Sequence, residues 1–309
     1  MRRLKKLLVN TYEKDTLVHL KKCEERHKIN VNTKVRVADV FDVNNQNTNS
    51  SLFQYALMSH FDFLITESSD DTPLFAVEFD ELHHFIDDAA IKRDMKKKKL
   101  CELFEFPLLR ITESYYNRTY GAFTLLEYFI EYWFCDRDIQ KAYETGQISA
   151  HDYYDPSLTL ALPGYKGKMP FWIAKEERIS LGKYNDNGLI LERLPSIIHG
   201  KDSENNCQMF ACIKVNKTFG VMAQNSMLSQ QFPIIISELL DDLLTIAIKN
   251  LIDQALVGKT KLQSIDVIIK KAKEFWANHQ EPKFEHSAEW FKTAVQGITP
   301  ISETDEIND

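Results

Sequence analysis

Two short apolar runs, each carrying buried acids, constrain this chain more than any other feature. Phe61 to Thr66 reads Phe-Asp-Phe-Leu-Ile-Thr, and Leu74 to Asp80 reads Leu-Phe-Ala-Val-Glu-Phe-Asp. Both are apolar on both faces apart from their acids, which predicts central strands covered on each side. The polar stretch Glu67 to Thr72 between them predicts a turn, and the pair a hairpin with a moderately long loop. Strand period two puts Glu78 and Asp80 on one face with Ala76, and turns Phe75, Val77 and Phe79 into a core. If the strands pair antiparallel, Asp62 near the start of the first lies beside Glu78 near the end of the second. Buried carboxylates are costly without compensation. A divalent cation is the compensator this grouping predicts: Asp62 and Glu78 share one Mg2+ through oxygen ligands, and the backbone carbonyl of Phe79 adds another. A lone acid at a strand end is often a turn residue; the pair, each inside an apolar run, carries the functional reading.

The neighbouring segments add to this grouping. His83 and His84 follow the second run, then Asp87 and Asp88. His84 is placed to reach the same cleft, to bind phosphate or to move a proton near neutral pH. Asp87 to Phe104 predicts a helix with Ile91, Met95, Leu100 and Leu103 inward, and Lys92, Arg93 and Lys96 to Lys99 crowd it. Asp94, Lys97 and Lys98 share a face at helical spacing, so an ammonium there can meet a scissile phosphate and stabilise its developing charge. The spacing does not decide which lysine turns inward; Lys97 is the expected one, with Lys96 and Lys98 as nucleic-acid contacts. Pro107 to Ile111 predicts a short buried strand bearing Arg110, a third such contact. Upstream, Asn10 to Arg26 predicts a helix opened by an Asn10/Glu13 capping box, Lys34 to Val40 alternates like a strand, and Asn44 to Ser51 reads as a loop. Helix, three strands, helix, strand is an α/β order.

At 309 residues the chain has room for two modest domains, 1–150 and 151–309. Ala122 to Thr145 predicts an aromatic helix ended by Gly146, and the Pro- and Gly-bearing Tyr153 to Lys168 predicts a linker. Beyond it, Met169 to Ile173, Leu189 to Leu194, Met209 to Val215 and Gly220 to Ala223 read as strands, Glu238 to Leu256 and Leu262 to Asn278 as helices, and Ser302 to Asp309 as a frayed tail, an α+β pattern. The net charge of −7 argues against a protein that coats DNA by bulk electrostatics. Five scattered cysteines without a CxxC pair predict buried free thiols rather than zinc or redox chemistry. No signal peptide or bilayer-length apolar stretch is read, so a cytoplasmic protein with no membrane partner is expected.

Taken in order, Asp62-Phe63-Leu64-Ile65, Val77-Glu78-Phe79-Asp80, His84, Asp94-x-x-Lys97 and Pro107-Leu108-Leu109-Arg110-Ile111 resemble the PD-(D/E)XK nuclease superfamily. The resemblance is to its branch near the very-short-patch-repair endonucleases, and especially to bacterial proteins carrying domain of unknown function 2726. It takes in Lys34 to Val40 and the first helix, and covers about Leu7 to Ile111. It implies a restriction-endonuclease-like mixed sheet flanked by helices, with Mg2+, or Mn2+ in its place, held by the acids at Asp62 and Glu78. Glu13 matches an acid on the first helix that in some members lies near the metal; it is equally the capping-box glutamate. The lysine of the E-x-K signature is Asp80 here, as is usual in this branch, with a helix lysine such as Lys97 as substitute. The glycine that follows is Glu81 here, a negative charge where a phosphate approaches. Gln140 to Asp155 and Gln230-Gln231-Phe232-Pro233 resemble the tail of those longer proteins without adding chemistry. Phe171, Trp172 and Tyr184 are candidates to stack bases, although aromatic residues near strands are more often core.

The expectation is a metal-dependent endonuclease that hydrolyses phosphodiesters, in DNA rather than RNA, by a Mg-activated water. Asp62 and Glu78 hold the metal, Asp80 orients the site, Lys97 neutralises the transition state and His84 assists proton transfer. The alternative is a catalytically weak or inactive nuclease-fold module that binds nucleic acid or a protein partner within a defence or repair complex, a reading that Glu81 and the net negative charge favour. A protein partner through the C-terminal domain, with Glu238 to Leu256 as the contact helix, and a homodimer complete the expectations.

Overall fold

The computed structural model describes residues 11–43, 49–80, 88–120, 123–149, 151–152 and 173–297. It falls into two compact units, Met1–Phe171 with Gln230–Ile234, and Trp172–Ser229 with Ile235–Asp309. The linker and tail read from the sequence, Tyr153 to Lys168 and Ser302 to Asp309, lie outside the described residues, as do Glu81, His83, His84, Asp87, Phe171 and Trp172. No helix among the described residues is long and apolar enough to cross a membrane.

The first unit runs α1 (Thr11–His27), β1 (Ile29–Arg36), α2 (Val37–Val40), α3 (Ser50–Met58), β2 (His60–Glu67), β3 (Pro73–Phe79), α4 (Asp88–Leu103), β4 (Leu108–Ile111), α5 (Ser114–Asn117), β5 (Thr119–Tyr120), β6 (Phe123–Thr124) and α6 (Leu125–Glu144). Its main sheet has the order β1-β2-β3-β4. The first two pairings are antiparallel; β4 joins β3 in parallel, as the intervening α4 requires. This is a mixed α/β architecture, as expected.

Both faces of the sheet are covered. Ala76, Phe61 and Leu108 pack with Val37, Phe41, Leu52, Ala56, Leu100 and Cys101 from α2 to α4. Phe75 turns the other way, with its ring 4.9 Å from Trp133 and 6.2 Å from Phe134 of α6. Taking Phe75 fully out of water contributes about 1.5–3 kcal/mol. Helix α6 begins at a capping box, with the Thr124 hydroxyl accepting from Glu127 N at 3.2 Å and Glu127 Oε2 accepting from Thr124 N at 2.9 Å. It ends before Gly146, whose φ of 70° is the left-handed conformation that stops a helix.

Three local expectations change, the first being that Met95 and Leu103 of α4 are 65% and 50% exposed rather than turned inward. The alternation at Lys34 to Val40 is not one strand: β1 starts earlier, at Ile29, and ends at Arg36, after which Val37–Val40 forms a helical turn. Val37 N bonds the Ser59 carbonyl at 3.0 Å and Phe41 N bonds Val37 O at 3.1 Å, so a short turn buries Val37 and Phe41 together. The loop reading of Asn44 to Ser51 gives way at its end, where the Asn49 side chain caps α3 by accepting from Leu52 N at 2.9 Å.

The free side of β4 meets a segment from later in the chain. Leu108 N donates to Gln231 O at 3.0 Å, and the Gln230 amide brackets Arg110, accepting from its N and donating to its O, both at 2.8 Å.

The second unit contains α7 (Lys175–Asp186), β7 (Ser196–Lys201), β8 (Cys207–Lys214), β9 (Phe219–Met227), α8 (Ile236–Leu256), β10 (Gln263–Ser264), α9 (Ile265–Asn278), β11 (Gln280–Phe284) and α10 (Glu289–Gln296). Its antiparallel sheet has the order β10-β9-β8-β7-β11. Phe210 and Cys212 of β8 pack with Ile268, Ala272 and Phe275 of α9 and with Phe291 and Val295 of α10. The alternate residues Met209, Ala211 and Ile213 are buried too, and α8 runs along β8 and β9. Leu189 to Leu194 is not a strand. Leu189, Leu191 and Leu194 are 42%, 51% and 47% exposed, and the strand begins after them, at Ser196. The Tyr184 hydroxyl donates to Asp253 Oδ1 at 2.7 Å, which anchors that ring's polar end to α8.

Candidate functional site

The register between β2 and β3 pairs Phe63 with Val77, so the next position places Asp62 opposite Glu78. There the side chains take over from the ladder. Asp62 N donates to Glu78 Oε1 at 3.2 Å, and Phe79 N donates to Asp62 Oδ2 at 3.0 Å. Each carboxylate thus uses one oxygen to satisfy the opposite strand's backbone and keeps the other for a cation. Glu78 follows Ala76 toward α4, as strand period two requires.

The cation at Glu78 is Lys97. Its ammonium donates to Glu78 Oε2 at 2.6 Å and to the His60 carbonyl at 2.9 Å, 5.6 Å from the centre of the Phe61 ring. The side chains of the pair are only 11% and 13% exposed. Burial pushes the Glu78 carboxyl up to about 7; Lys97 pulls it back and the Asp62 carboxylate pushes it further. For Lys97 burial acts downward, but Glu78, Tyr55 and Asp62 together outweigh it and the ammonium is held above its ordinary value. Of the clustered lysines, Lys97 is the one turned to the acids; Lys98 is exposed and Lys96 half-buried.

The cation at Asp62 is one the sequence did not single out. Lys34 donates to Asp62 Oδ1 at 2.6 Å and to Glu13 Oε1 at 2.7 Å, joining β2 to α1. Glu13 therefore reaches the site through Lys34. Burial acts to lower the Lys34 ammonium, and its hydrogen bonds to Asp62 and Glu13 more than offset this, so it sits above its ordinary value. Asp80 and Asp94 form a second group around Arg110, whose Nη2 donates to Asp80 Oδ1 at 2.8 Å and to Asp94 Oδ2 at 3.0 Å. Arg110 is thereby a cross-brace between β3, β4 and α4. His84 and Glu81 lie outside the described residues.

Among the described residues no three His, Cys, Asp or Glu side chains converge as a metal-holding group. Mg2+, however, is commonly held by one or two carboxylates, with waters and substrate phosphate filling its other positions. Asp62 and Glu78 offer hard oxygen donors of that type, and Glu13, Asp62 and Glu78 share only two ammonium groups, which leaves the trio net negative. The donor set fits the ion, with Asp62 and Glu78 as the residues that would hold it. Phe79 engages the site through its N–H, which donates to Asp62 Oδ2. Burial pushes the Cys23 and Cys101 thiols up to about 12, so both are protonated at neutral pH.

No curated protein and no solved structure matches the chain. Residues 5–123 match the model of a family described as "Protein of unknown function (DUF2726)". That span contains Glu13, Lys34, Asp62, Glu78, Asp80, Asp94, Lys97 and Arg110, and stops short of α6 and Gln230.

Proposed function

We propose that the first unit is a metal-dependent nuclease of the PD-(D/E)XK type that hydrolyses phosphodiester bonds, in DNA before RNA. The observation that carries this reading is the opposition of Asp62 and Glu78 on adjacent strands, with Lys97 reaching Glu78 from the next helix. The order α1, β1, α2, α3, β2, β3, α4, β4 supports it. When bound, Mg2+ or Mn2+ supplies Lewis acidity and a water acidified enough to attack at neutral pH.

The chain's own groups divide the remaining work. Asp62 and Glu78 would hold the cation, and their backbone bonds to the opposite strand keep the two carboxylates in place. Lys97 has spent two of its three donors, on Glu78 and the His60 carbonyl, and directs the third at a phosphate oxygen, where it opposes the charge that develops during displacement. Asp80, gripped by Arg110, sets the end of β3 relative to α4. His84 is the proposed proton carrier, and Lys96 and Lys98 are the proposed backbone contacts to nucleic acid.

The second reading is a module that binds nucleic acid, or a protein partner in a defence or repair complex, without cutting. The observation favouring it is that ammonium groups already sit on the outer oxygens of both carboxylates. Incubating the full chain with supercoiled plasmid, single-stranded DNA and RNA, each with Mg2+, Mn2+ or EDTA, separates the two. The nuclease reading expects cleavage of DNA that needs the divalent ion and disappears in Glu78→Ala. Binding of all three without cleavage under either ion would replace it with the second reading.

A further inference from the structure

Lys34 combines features that a strand residue with only a structural role does not need. Its φ is 55°, a left-handed conformation unusual for a side chain other than glycine, asparagine or aspartate. It lies opposite Asp62 in register, yet the β1–β2 ladder skips that pair: Thr33 pairs with Phe63 and Val35 with Phe61 on either side. Its ammonium bridges Glu13 of α1 and Asp62 of β2 at 2.7 Å and 2.6 Å. Asp62 Oδ2 is committed to Phe79 N, so Oδ1 is the oxygen turned to a cation, and Lys34 occupies it.

We infer that Lys34 is the resident counter-ion of the site: it holds Glu13 and Asp62 together until a divalent cation arrives, and it must leave Asp62 Oδ1 for that cation to bind. The inference rests on the metal-dependent reading above. A short, charge-assisted bond from an ammonium blocks the lone pairs that a metal would take, so the two cations compete for one oxygen. Release from Asp62 frees one of the ammonium's three donors for a phosphate oxygen. Lys34 is then a positioning residue that keeps the acids ordered at low metal and yields at high metal. The left-handed backbone fits such a role, since strain is retained where surrounding contacts over-determine it.

The test is direct Mn2+ binding by the full chain, with free Mn2+ read by electron paramagnetic resonance, for wild type, Lys34→Met, Lys34→Arg and Lys34→Gly. Removing the competing ammonium leaves Glu13 and Asp62 unneutralised, so Lys34→Met is expected to bind Mn2+ about 10-fold tighter or more, the scale of one charge-assisted hydrogen bond. Lys34→Arg, which keeps the charge, stays within about threefold of wild type. Lys34→Gly removes the ammonium and also relaxes the backbone, and it is expected to match Lys34→Met should the latter fold poorly. Equal or weaker binding by folded Lys34→Met and Lys34→Gly overturns the inference and leaves the metal reading standing. Absence of Mn2+ binding in every folded variant, wild type included, overturns the metal reading and the inference with it.

Discussion

The two sheets share a burial plan and differ in how they treat their backbone. In the second unit β8 pairs with β9 at eight successive positions, from Cys207 opposite Met227 to Lys214 opposite Gly220, and with β7 at six. Its lysines stand at the strand ends, and the buried acid Asp242 sits on α8, where Arg178 and Ile173 N satisfy it. In the first unit two neighbouring ladders open at one level. The β1–β2 ladder skips Lys34 and Asp62, and the β2–β3 ladder ends at Phe63 and Val77. Carboxylates and ammonium groups fill the gap. In the second unit the central β7–β8–β9 ladders run unbroken, and the irregularity lies at the edge, where β11 shifts register between Gln280 and Lys283. The interruption in the first unit is a local rule broken with charged groups, the pattern expected where chemistry is done.

Substitutions can break or sharpen that contrast. The largest expected effect is on stability, at the unbroken centre of the second sheet. Phe210→Ala leaves a cavity among Phe275, Phe291 and Ile268 and costs about 3–5 kcal/mol in denaturant unfolding, while divalent-dependent cleavage measured below the transition is unchanged. Next comes Lys97→Met in the interrupted sheet, expected to lower the initial cleavage rate by about 10²–10³-fold, the scale for losing one preorganised donor to developing charge. A smaller effect isolates the backbone at Lys34. Both Lys34→Gly and Lys34→Ala lose the ammonium, but only glycine accepts the φ of 55° freely, so the glycine variant unfolds about 1 kcal/mol later than the alanine one. The smallest effects belong to Lys96→Ala and Lys98→Ala. Each is expected to lower the slope of log K against log salt for duplex DNA by about 0.9, with no change in the metal requirement.

Much of the first unit was legible because its signals are local. Two apolar runs with acids at matching ends forced antiparallel strands with Asp62 beside Glu78, and helical spacing carried Lys97 to the same place. Lys34 was not legible. Its part depends on a left-handed residue inside a strand and on α1 delivering Glu13, and neither leaves a periodic trace. The second unit was read less well for a related reason. Leu189 to Leu194 looks like a strand by composition, yet its leucines find no core. The true strand, Ser196–Lys201, carries His199 and Gly200, and a glycine inside a strand weakens its pattern. Gly200 is there because the chain packs closely at that point: a Cβ on it would lie 2.9 Å from the His279 Cβ. Gln230, which brackets Arg110, was a motif without a mechanism until the fold brought it beside β4.

The most direct measurement is plasmid cleavage by the purified Asp62→Ala/Glu78→Ala double variant, beside wild type, in Mg2+ or Mn2+, with circular dichroism to show that both are folded. The opposed carboxylates as metal holders require that wild type cuts and the folded double variant does not, under either ion. Equal cutting by the double variant would contradict this and place the chemistry elsewhere in the chain.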